Sequence, residues 1–296
     1  MTTALLIAPT DDRTPAERAL DAALSGVSVN TCRVYTRHLK NFLHYLATMG
    51  HPFTREYVER YMATVAQGVS YNQALSAIKR LAMQAAAHGW VPYEIAVQID
   101  SIRTKKQLGV RAGNWLTLAQ ATALLASVDA RTIPGKRDLA VLSVLTGCGV
   151  RREELAQLDW SQFQLRDNRW MFIDIVGKGG RVRSVAVPTW VCLALDSWRT
   201  ACARSQGAIV RSIQQNGTIN GSLSATAIWD IVVKYTSAVG VRVAPHDLRR
   251  TYAKLSRKGG APLDVIQKSL GHASVRTTEL YTDSGEGANA GDYFSL

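Results

Sequence analysis

The chain is short of the residues that build the commonest catalytic and structural sites. It has only four cysteines, Cys32, Cys148, Cys192 and Cys202, in 296 residues. None forms a Cys-x-x-Cys pair, so neither a disulfide framework nor a zinc ribbon is expected, and a reducing cytosol fits. No apolar run approaches the roughly eighteen residues of a membrane span, so no membrane partner is expected. The opening stretch, residues 1–12, has an apolar patch without the basic flank of a signal peptide. His-Glu-x-x-His, EF-hand spacing and Gly-x-Ser-x-Gly are all missing, which disfavours a dedicated metal site or serine hydrolysis. Gly177-Lys178 is no Walker loop, because Phe172 stands where the first glycine belongs and Gly179 where Ser or Thr belongs. Glu153 and Glu154 are adjacent on an expected helix and diverge, which spoils them as an acid pair.

Acidic residues are also scarce. Asp and Glu number 23 against 35 Lys and Arg, a formal net charge of +12. The excess is spread along the chain, and charge alone favours a protein that neutralises nucleic-acid phosphates only modestly over an ordinary solvated surface. What is plentiful is apolar: 47% of residues, with seven tryptophans. That excludes a disordered chain, and the length favours two domains.

The first domain reads as helical from Ser28 to about residue 100. In Asn30–Met49 the residues Val34, Tyr35, Leu39, Phe42, Leu43 and Leu46 share one face, while Arg33, Arg37, Lys40 and His44 form a stripe on the other. A second helix is predicted from an N-capping Ser70 to His88, ended by Gly89, with Leu75, Ile78 and Leu81 inward and Asn72, Ser76, Lys79 and Arg80 outward. Either stripe alone is an ordinary wet face; two in one small unit favour a surface that tracks a DNA backbone. Residues 101–114, with Arg103, Lys105, Lys106 and Arg111 between glycines, read as a basic linker. Structure resumes at a capping box, Thr117-Leu118-Ala119-Gln120. Helices follow over Asp138–Thr146 and from Arg151 to about Leu158. Trp170–Val187 reads as strand, turn and strand around Gly177-Lys178-Gly179-Gly180, and the remainder as helical with glycine-rich breaks. The predicted fold is thus mainly α with one small β-hairpin. The expected organisation is an N-terminal extension (1–27), a helical domain with basic faces (28–100), a basic linker (101–114), a mostly helical second domain (115–284) and a tail (285–296).

The remaining candidates are cations and imidazoles placed at breaks or helix starts, with one phenol at a helix end. Arg151 opens a helix after two glycines, where free N–H groups favour an anion. Lys178 sits at the hairpin tip. His246 and Arg249 are three apart and share a helix face. His272 follows Gly271 after the helix Pro262–Leu270, and Tyr281 ends a short polar helix, Ser274–Leu280. Together they describe a phosphoryl-transfer site in which two guanidiniums hold phosphate oxygens, lysine protonates a leaving alkoxide, histidine manages protons and tyrosine attacks phosphorus. With two arginines supplying positive charge, no metal or other cofactor is called for.

These boxes resemble the tyrosine recombinase (phage integrase) family, in its simple two-domain, Xer-like form. Thr146-Gly147-Cys148-Gly149-Val150-Arg151-Arg152-Glu153-Glu154-Leu155 is similar to the first-arginine box, with two extra residues and with Arg152 where an aliphatic residue is usual. Gly177 through Pro188 is similar to the lysine hairpin, His246 through Ala253 to the His-x-x-Arg box, and Leu270 through Tyr281 to the nucleophile box. The resemblance implies a helical core-binding domain and a catalytic domain closing on DNA as a C-shaped clamp. It implies that Tyr281 forms a 3′-phosphotyrosyl link, that Arg151 and Arg249 clamp the scissile phosphate, and that Lys178 is the general acid. His246 would transfer protons, His272 would hydrogen-bond the phosphate and Glu154 would support the site from behind. It further implies a homotetramer on double-stranded DNA with short inverted-repeat core sites, strand exchange through a Holliday junction, and a cytoplasmic, nucleoid-associated protein. With little sequence before Ser28, no added arm-binding domain is expected. The glycine-rich tail ends in Asp292-Tyr293-Phe294-Ser295-Leu296, and Tyr293, Phe294 and Leu296 are expected to dock on a neighbouring protomer. The alternatives are a type IB topoisomerase, which uses the same chemistry, and a non-catalytic DNA-binding regulator, which has no need of all six groups.

Overall fold

The computed structural model describes residues 13–66, 68–105, 114–177, 179–272 and 274–282. The chain divides into two compact units, Met1–Gly109 and Val110–Leu296.

The first unit contains α1 (Pro15–Leu24), α2 (Val29–Met49), α3 (Arg55–Thr64), α4 (Val69–Ala87) and α5 (Tyr93–Asp100). Ser28 starts α2 by accepting the Thr31 N–H at 3.3 Å, which satisfies an orphan donor of the first turn. Leu39 and Phe42 of α2, Leu75, Ile78 and Leu81 of α4, and Ile99 of α5 are fully buried. Phe42 packs edge-on to Phe53, with ring centroids 5.3 Å apart. Val34, Tyr35 and Leu43 are only half-buried, and the buried side of α2 also takes in His38.

Three differences from the sequence reading have physical causes. The helical unit does not begin at Ser28: Ala19 and Ala23 of α1 are fully buried in its core. The local signal for it is a capping box, Thr14 with Glu17, and Pro15 in the first turn, which a reading that starts the unit at Ser28 passes over. Second, α4 begins at Val69 behind Gly68, so Ser70 lies inside the helix rather than capping it. Third, the stretch 101–114 is not wholly linker, because Ile102 is buried with the first core and Lys105 is held by Asn72.

The outward stripe of α4 is likewise taken up by the fold. Arg80 donates from Nε to the Ala23 carbonyl and from Nη2 to that of Ser25, both at 2.7 Å, closing the C-terminus of α1. Lys79 donates to the Asp100 carbonyl at the end of α5. Asn72 brackets Lys105, giving Nδ2–H to its carbonyl at 2.9 Å and accepting its N–H at 3.0 Å. The Lys105 ammonium lies 4.5 Å from the Tyr71 ring centroid. Cations at the carbonyl ends of helices meet the negative end of the macrodipole, so these side chains work as C-terminal caps. Replacing Arg80 with alanine is therefore expected to destabilise the protein by about 1–3 kcal/mol, the cost of leaving such carbonyls short of donors. With an α2 stripe expected to track a nucleic-acid backbone, the salt dependence of nucleic-acid affinity should stay unchanged in this variant. Arg33→Ala should do the reverse, reducing the slope of log K against log salt by about 1 with little change in stability. Melting curves and salt titrations of both variants check this.

The second unit contains α6 (Leu118–Ala126), α7 (Ile133–Cys148), α8 (Arg152–Gln157), β1 (Phe163–Arg166), β2 (Arg169–Val176) and β3 (Val182–Ala186). It continues with α9 (Thr189–Cys202), β4 (Arg211–Ile213), β5 (Ile219–Ser222), α10 (Ala225–Tyr235), α11 (Pro245–Lys258), α12 (Leu263–Leu270) and α13 (Val275–Thr282). The Thr117–Gln120 capping box opens α6. The central helix is α7, with every residue from Ala140 to Cys148 buried. Its first turn, Ile133-Pro134-Gly135-Lys136-Arg137, holds a Pro-Gly pair that reads locally as a turn, yet Thr132 caps it by accepting the Gly135 N–H at 3.0 Å. Strands β1–β2–β3 form an antiparallel sheet that pairs Phe163 with Phe172 and Phe172 with Val185. The class is mainly α, as read, but the single hairpin is corrected to a three-stranded sheet plus a second hairpin, β4–β5. Four- and three-residue strands such as β1 and β4 are too short to show alternation. Among the described residues no helix is long and apolar enough to cross a membrane, and no group of three His, Cys, Asp or Glu side chains could hold a metal ion.

Candidate active site

Helix α7 ends in left-handed Gly149, with φ +60°, and a Cβ there would lie 2.4 Å from the Tyr252 ring. Only glycine makes this turn in this place. The turn delivers Arg151 in extended conformation to the start of α8. Glu154, three residues on, reaches back, accepting the Arg151 N–H at Oε2 and its Nη1–H at Oε1, each at 2.7 Å.

A second arginine, absent from the sequence reading of the site, meets the same carboxylate. Arg183 on β3 donates from Nη1 to Glu154 Oε1 at 2.9 Å and from Nη2 to Oε2 at 2.7 Å. Its Nε donates to the Ser269 carbonyl at 2.8 Å. Burial by itself would raise the Glu154 pKa, but the hydrogen bonds from Arg183 and from the Arg151 backbone outweigh it and hold the carboxyl at about 2. The sequence did carry a signal for Arg183. Strand alternation puts it on the same face as Val185 and Val187, both buried, so a cation on that face needs a partner inside.

Helix α11 starts at Pro245, and Asp247 caps it by accepting the Ala244 N–H at 2.9 Å. One turn in, Arg249 is 1% exposed and ties two helix ends together. Its Nη1 donates to the Gly149 carbonyl at 2.6 Å and its Nη2 to that of Leu270, the last residue of α12. A guanidinium has five N–H groups, so two carbonyls do not exhaust it. His246 and Arg249 line one cavity of about 260 Å³ together with Arg151, Arg152 and Trp229. Arg151 also lines a neighbouring cavity of about 420 Å³ with Arg183, Lys268 and His272. A larger cavity of about 690 Å³, lined by Leu118, Leu125, Trp190, Tyr252 and Leu255, is apolar and lacks these groups.

Both histidines respond to the surrounding cations. His272 leaves α12 behind Gly271, and its Nδ1 lies 3.0 Å from the hydroxyl of fully buried Thr278. Burial first, then Arg249 and Arg151, lower its pKa to about 4. His246 keeps an exposed edge, yet the protein packed around the rest of the ring, and then Arg250 and Arg249, also hold it below the ordinary histidine value. His272 is therefore neutral at physiological pH. Unfolded, its pKa returns to about 6.5, so the unfolded chain binds the extra proton first. Its contribution to stability is complete above that value and is lost as pH falls from there to about 4. An imidazole NMR titration should place its midpoint near 4.

The structure thus brings Arg151, Arg249, His246, His272 and Glu154 together, with Arg183 added. Tyr281 is placed by its backbone in α13, three residues after Thr278. Lys178, Lys106, Arg111 and the tail residues Tyr293, Phe294 and Leu296 lie outside the described residues. In the first unit Arg33, Arg37, Lys40, His44 and Arg103 are exposed and Ser76 is half-buried, while Asn72, Lys79, Arg80 and Lys105 carry the fold contacts above.

A family model described as the phage integrase family matches residues 114–287, more than half of the chain. The tyrosine recombinase XerD of Corynebacterium glutamicum is 27% identical over 277 residues, covering 87% of this chain and 88% of that protein. XerD of Staphylococcus aureus is 27% identical over 272 residues, with the same coverage of 87% and 88%. Among solved structures, a XerH site-specific recombinase bound to a palindromic difH substrate in a post-cleavage complex superposes with TM-score 0.69 at 18% identity, over 86% of this chain and 77% of that one. A lambda integrase dimer bound to a COC′ core site gives TM-score 0.67 at 17% identity, over 93% and 78%. At these identities the structural likeness is one of fold.

Proposed function

The chain belongs to the phage integrase family and is a tyrosine-type site-specific DNA recombinase, and from that premise we propose how its residues cut and rejoin DNA. The Tyr281 phenol attacks the scissile phosphorus; the new bond is a 3′-phosphotyrosyl ester, and the bond that breaks is the one to the 5′-oxygen. Lys178 gives that oxygen its proton, so it leaves as a hydroxyl. One phosphodiester replaces another and no external energy is consumed. The 5′-hydroxyl of a partner strand then attacks the phosphotyrosine in reverse, and two such exchanges pass through a Holliday junction.

Arg151 and Arg249 hold the non-bridging oxygens, where negative charge concentrates in the transition state. Their pre-set geometry is the observation that carries the reading. Arg249 is anchored on two carbonyls from different helices, and Arg151 is held by the buried Glu154, so neither must reorganise when charge develops. His272 stays neutral, and with the Thr278 hydroxyl donating to Nδ1 its ring proton sits on Nε2, the donor assigned to a phosphate oxygen. His246, neutral at rest, can take up the tyrosine proton. With this positive charge in place the reaction is assigned as metal-free, with no cofactor.

The substrate is double-stranded DNA with short inverted-repeat core sites. The exposed α2 stripe of Arg33, Arg37, Lys40 and His44 lies on its phosphates. Four protomers act together at the nucleoid, the tail joining neighbours. The test is a nicked suicide DNA carrying the candidate site, incubated in chelator with wild type and with Tyr281→Phe and run on a denaturing gel. A covalent protein–DNA band with wild type alone is expected. Tight binding without a band on any substrate would favour a regulator, and plasmid relaxation without a partner site a topoisomerase.

A further inference from the structure

Arg183 occupies a place that the phosphate-clamping and proton-transfer roles above leave unexplained. It belongs to the second arm of the β2–β3 hairpin, where it pairs with Ile175. Its side chain is 8% exposed and leaves the sheet altogether. Two of its nitrogens grip both oxygens of Glu154 on α8, and the third grips the Ser269 carbonyl at the end of α12. One planar fork therefore fastens the hairpin to the helix behind Arg151 and to the helix that leads into His272.

The turn is built close around this fork. Gly177 opens it and donates its N–H to the Arg181 carbonyl at 2.7 Å. A Cβ on Gly177 would lie 3.2 Å from Glu154 Oε1 and 3.3 Å from Arg183 Nη1. A Cβ on Gly271 would lie 2.9 Å from Arg183 Cδ. The hairpin end, the carboxylate and the turn before His272 thus meet tightly around one guanidinium, and an added methyl at either glycine would press on it. Glu154 does not depend on Arg183 to hold Arg151, since it takes the Arg151 N–H and Nη1–H directly. The hairpin is what Arg183 restrains.

We propose that Arg183 is a positioning residue for the general acid: it locks the β2–β3 hairpin against α8 and α12, so that the lysine between Gly177 and Gly179 is delivered to the leaving oxygen. The proposal rests on the function assigned above to Lys178. A lysine at 183 could not replace it, because an ammonium on a flexible stem makes no bidentate fork.

Sulfur chemistry provides the test. With the 5′-bridging oxygen replaced by sulfur, the P–S bond breaks and sulfur departs as a thiolate, which needs no proton from the protein. Single-turnover covalent-complex rates would be measured on oxygen and sulfur substrates for wild type, Lys178→Ala, Arg183→Met, Arg183→Lys and Arg151→Ala. On oxygen, Arg183→Met is expected to fall by about 100-fold or more, the range of a misplaced general acid. On sulfur, Arg183→Met and Lys178→Ala should both return to within about tenfold of wild type, whereas Arg151→Ala, which loses a transition-state donor, should not recover. Arg183→Lys should behave as Arg183→Met does. The sulfur substrate would not rescue a folding defect, so the comparison separates positioning from stability. Recovery of Lys178→Ala without recovery of Arg183→Met, or no loss in Arg183→Met on oxygen, overturns this inference alone. Failure of Lys178→Ala to recover overturns the general-acid assignment on which it stands.

Discussion

Arg249→Ala is expected to lose covalent-complex formation by on the order of 1,000-fold or more, since a pre-set donor to a developing oxyanion is worth about that much. It is also expected to cost about 2–5 kcal/mol of stability. The side chain is 1% exposed and satisfies the carbonyls of Gly149 and Leu270. Removing it leaves two acceptors without their cationic donor in a space that alanine does not fill. Arg249→Lys separates the two effects. An ammonium can serve one carbonyl but cannot span two helix ends and a phosphate together, so stability should recover in part and activity hardly at all. Urea midpoints and single-turnover rates on a nicked substrate make the measurement. Equal recovery of both by lysine would show that Arg249 is only a structural brace.

The second large effect is at Glu154. Its carboxyl is held at about 2 against an ordinary value of 4.5. A group whose pKa is depressed on folding stabilises the protein above its unfolded value and loses that contribution as pH falls towards its folded one. The window here is therefore from about pH 4.5 down to about 2, and the amount at neutral pH is on the order of 3 kcal/mol. Glu154→Gln keeps the shape but leaves the guanidiniums of Arg151 and Arg183 without their counter-charge, an imbalance that costs about 3–5 kcal/mol in buried pairs. The variant should be less stable at pH 7 and should lose less of its remaining stability between pH 4.5 and pH 2 than wild type does. Chemical denaturation at several pH values tests this, and parallel pH profiles for the two proteins would mean that another group carries the acid sensitivity.

How much of this was legible in the residues depended on range. The α2 stripe, the Thr117 capping box, the β2–β3 hairpin and the spacing of His246 and Arg249 all follow from contacts within a few residues, and each stands in the structure where local pattern places it. Helix α1 was legible by the same device as α6, a capping box at Thr14 and Glu17. Strands β1, β4 and β5 are too short to show alternation, and the first turn of α7 is masked by Pro134-Gly135, so packing decides them. The α4 stripe shows the opposite failure. Asn72, Lys79 and Arg80 carry the pattern of a solvated basic face, yet their partners are backbone carbonyls more than 20 residues away in sequence.

The same division runs through the site. The sequence by itself determined which chemistry was available: two arginines, two histidines and a lysine, each at a glycine break or near a helix start, and a tyrosine at the end of a short helix. Only the tertiary structure decided how those groups are held. The long arms of Arg183 and Arg249 cross from one element to another, over 29 residues to Glu154 in one case and 100 to Gly149 in the other. Burial then turns those contacts into shifted charges, an ionised Glu154 and a neutral His272. The cause is the low dielectric of a packed interior, which strengthens every paired charge and penalises every unpaired one. A linear sequence names the groups, but its local pattern does not say which of them will share that interior.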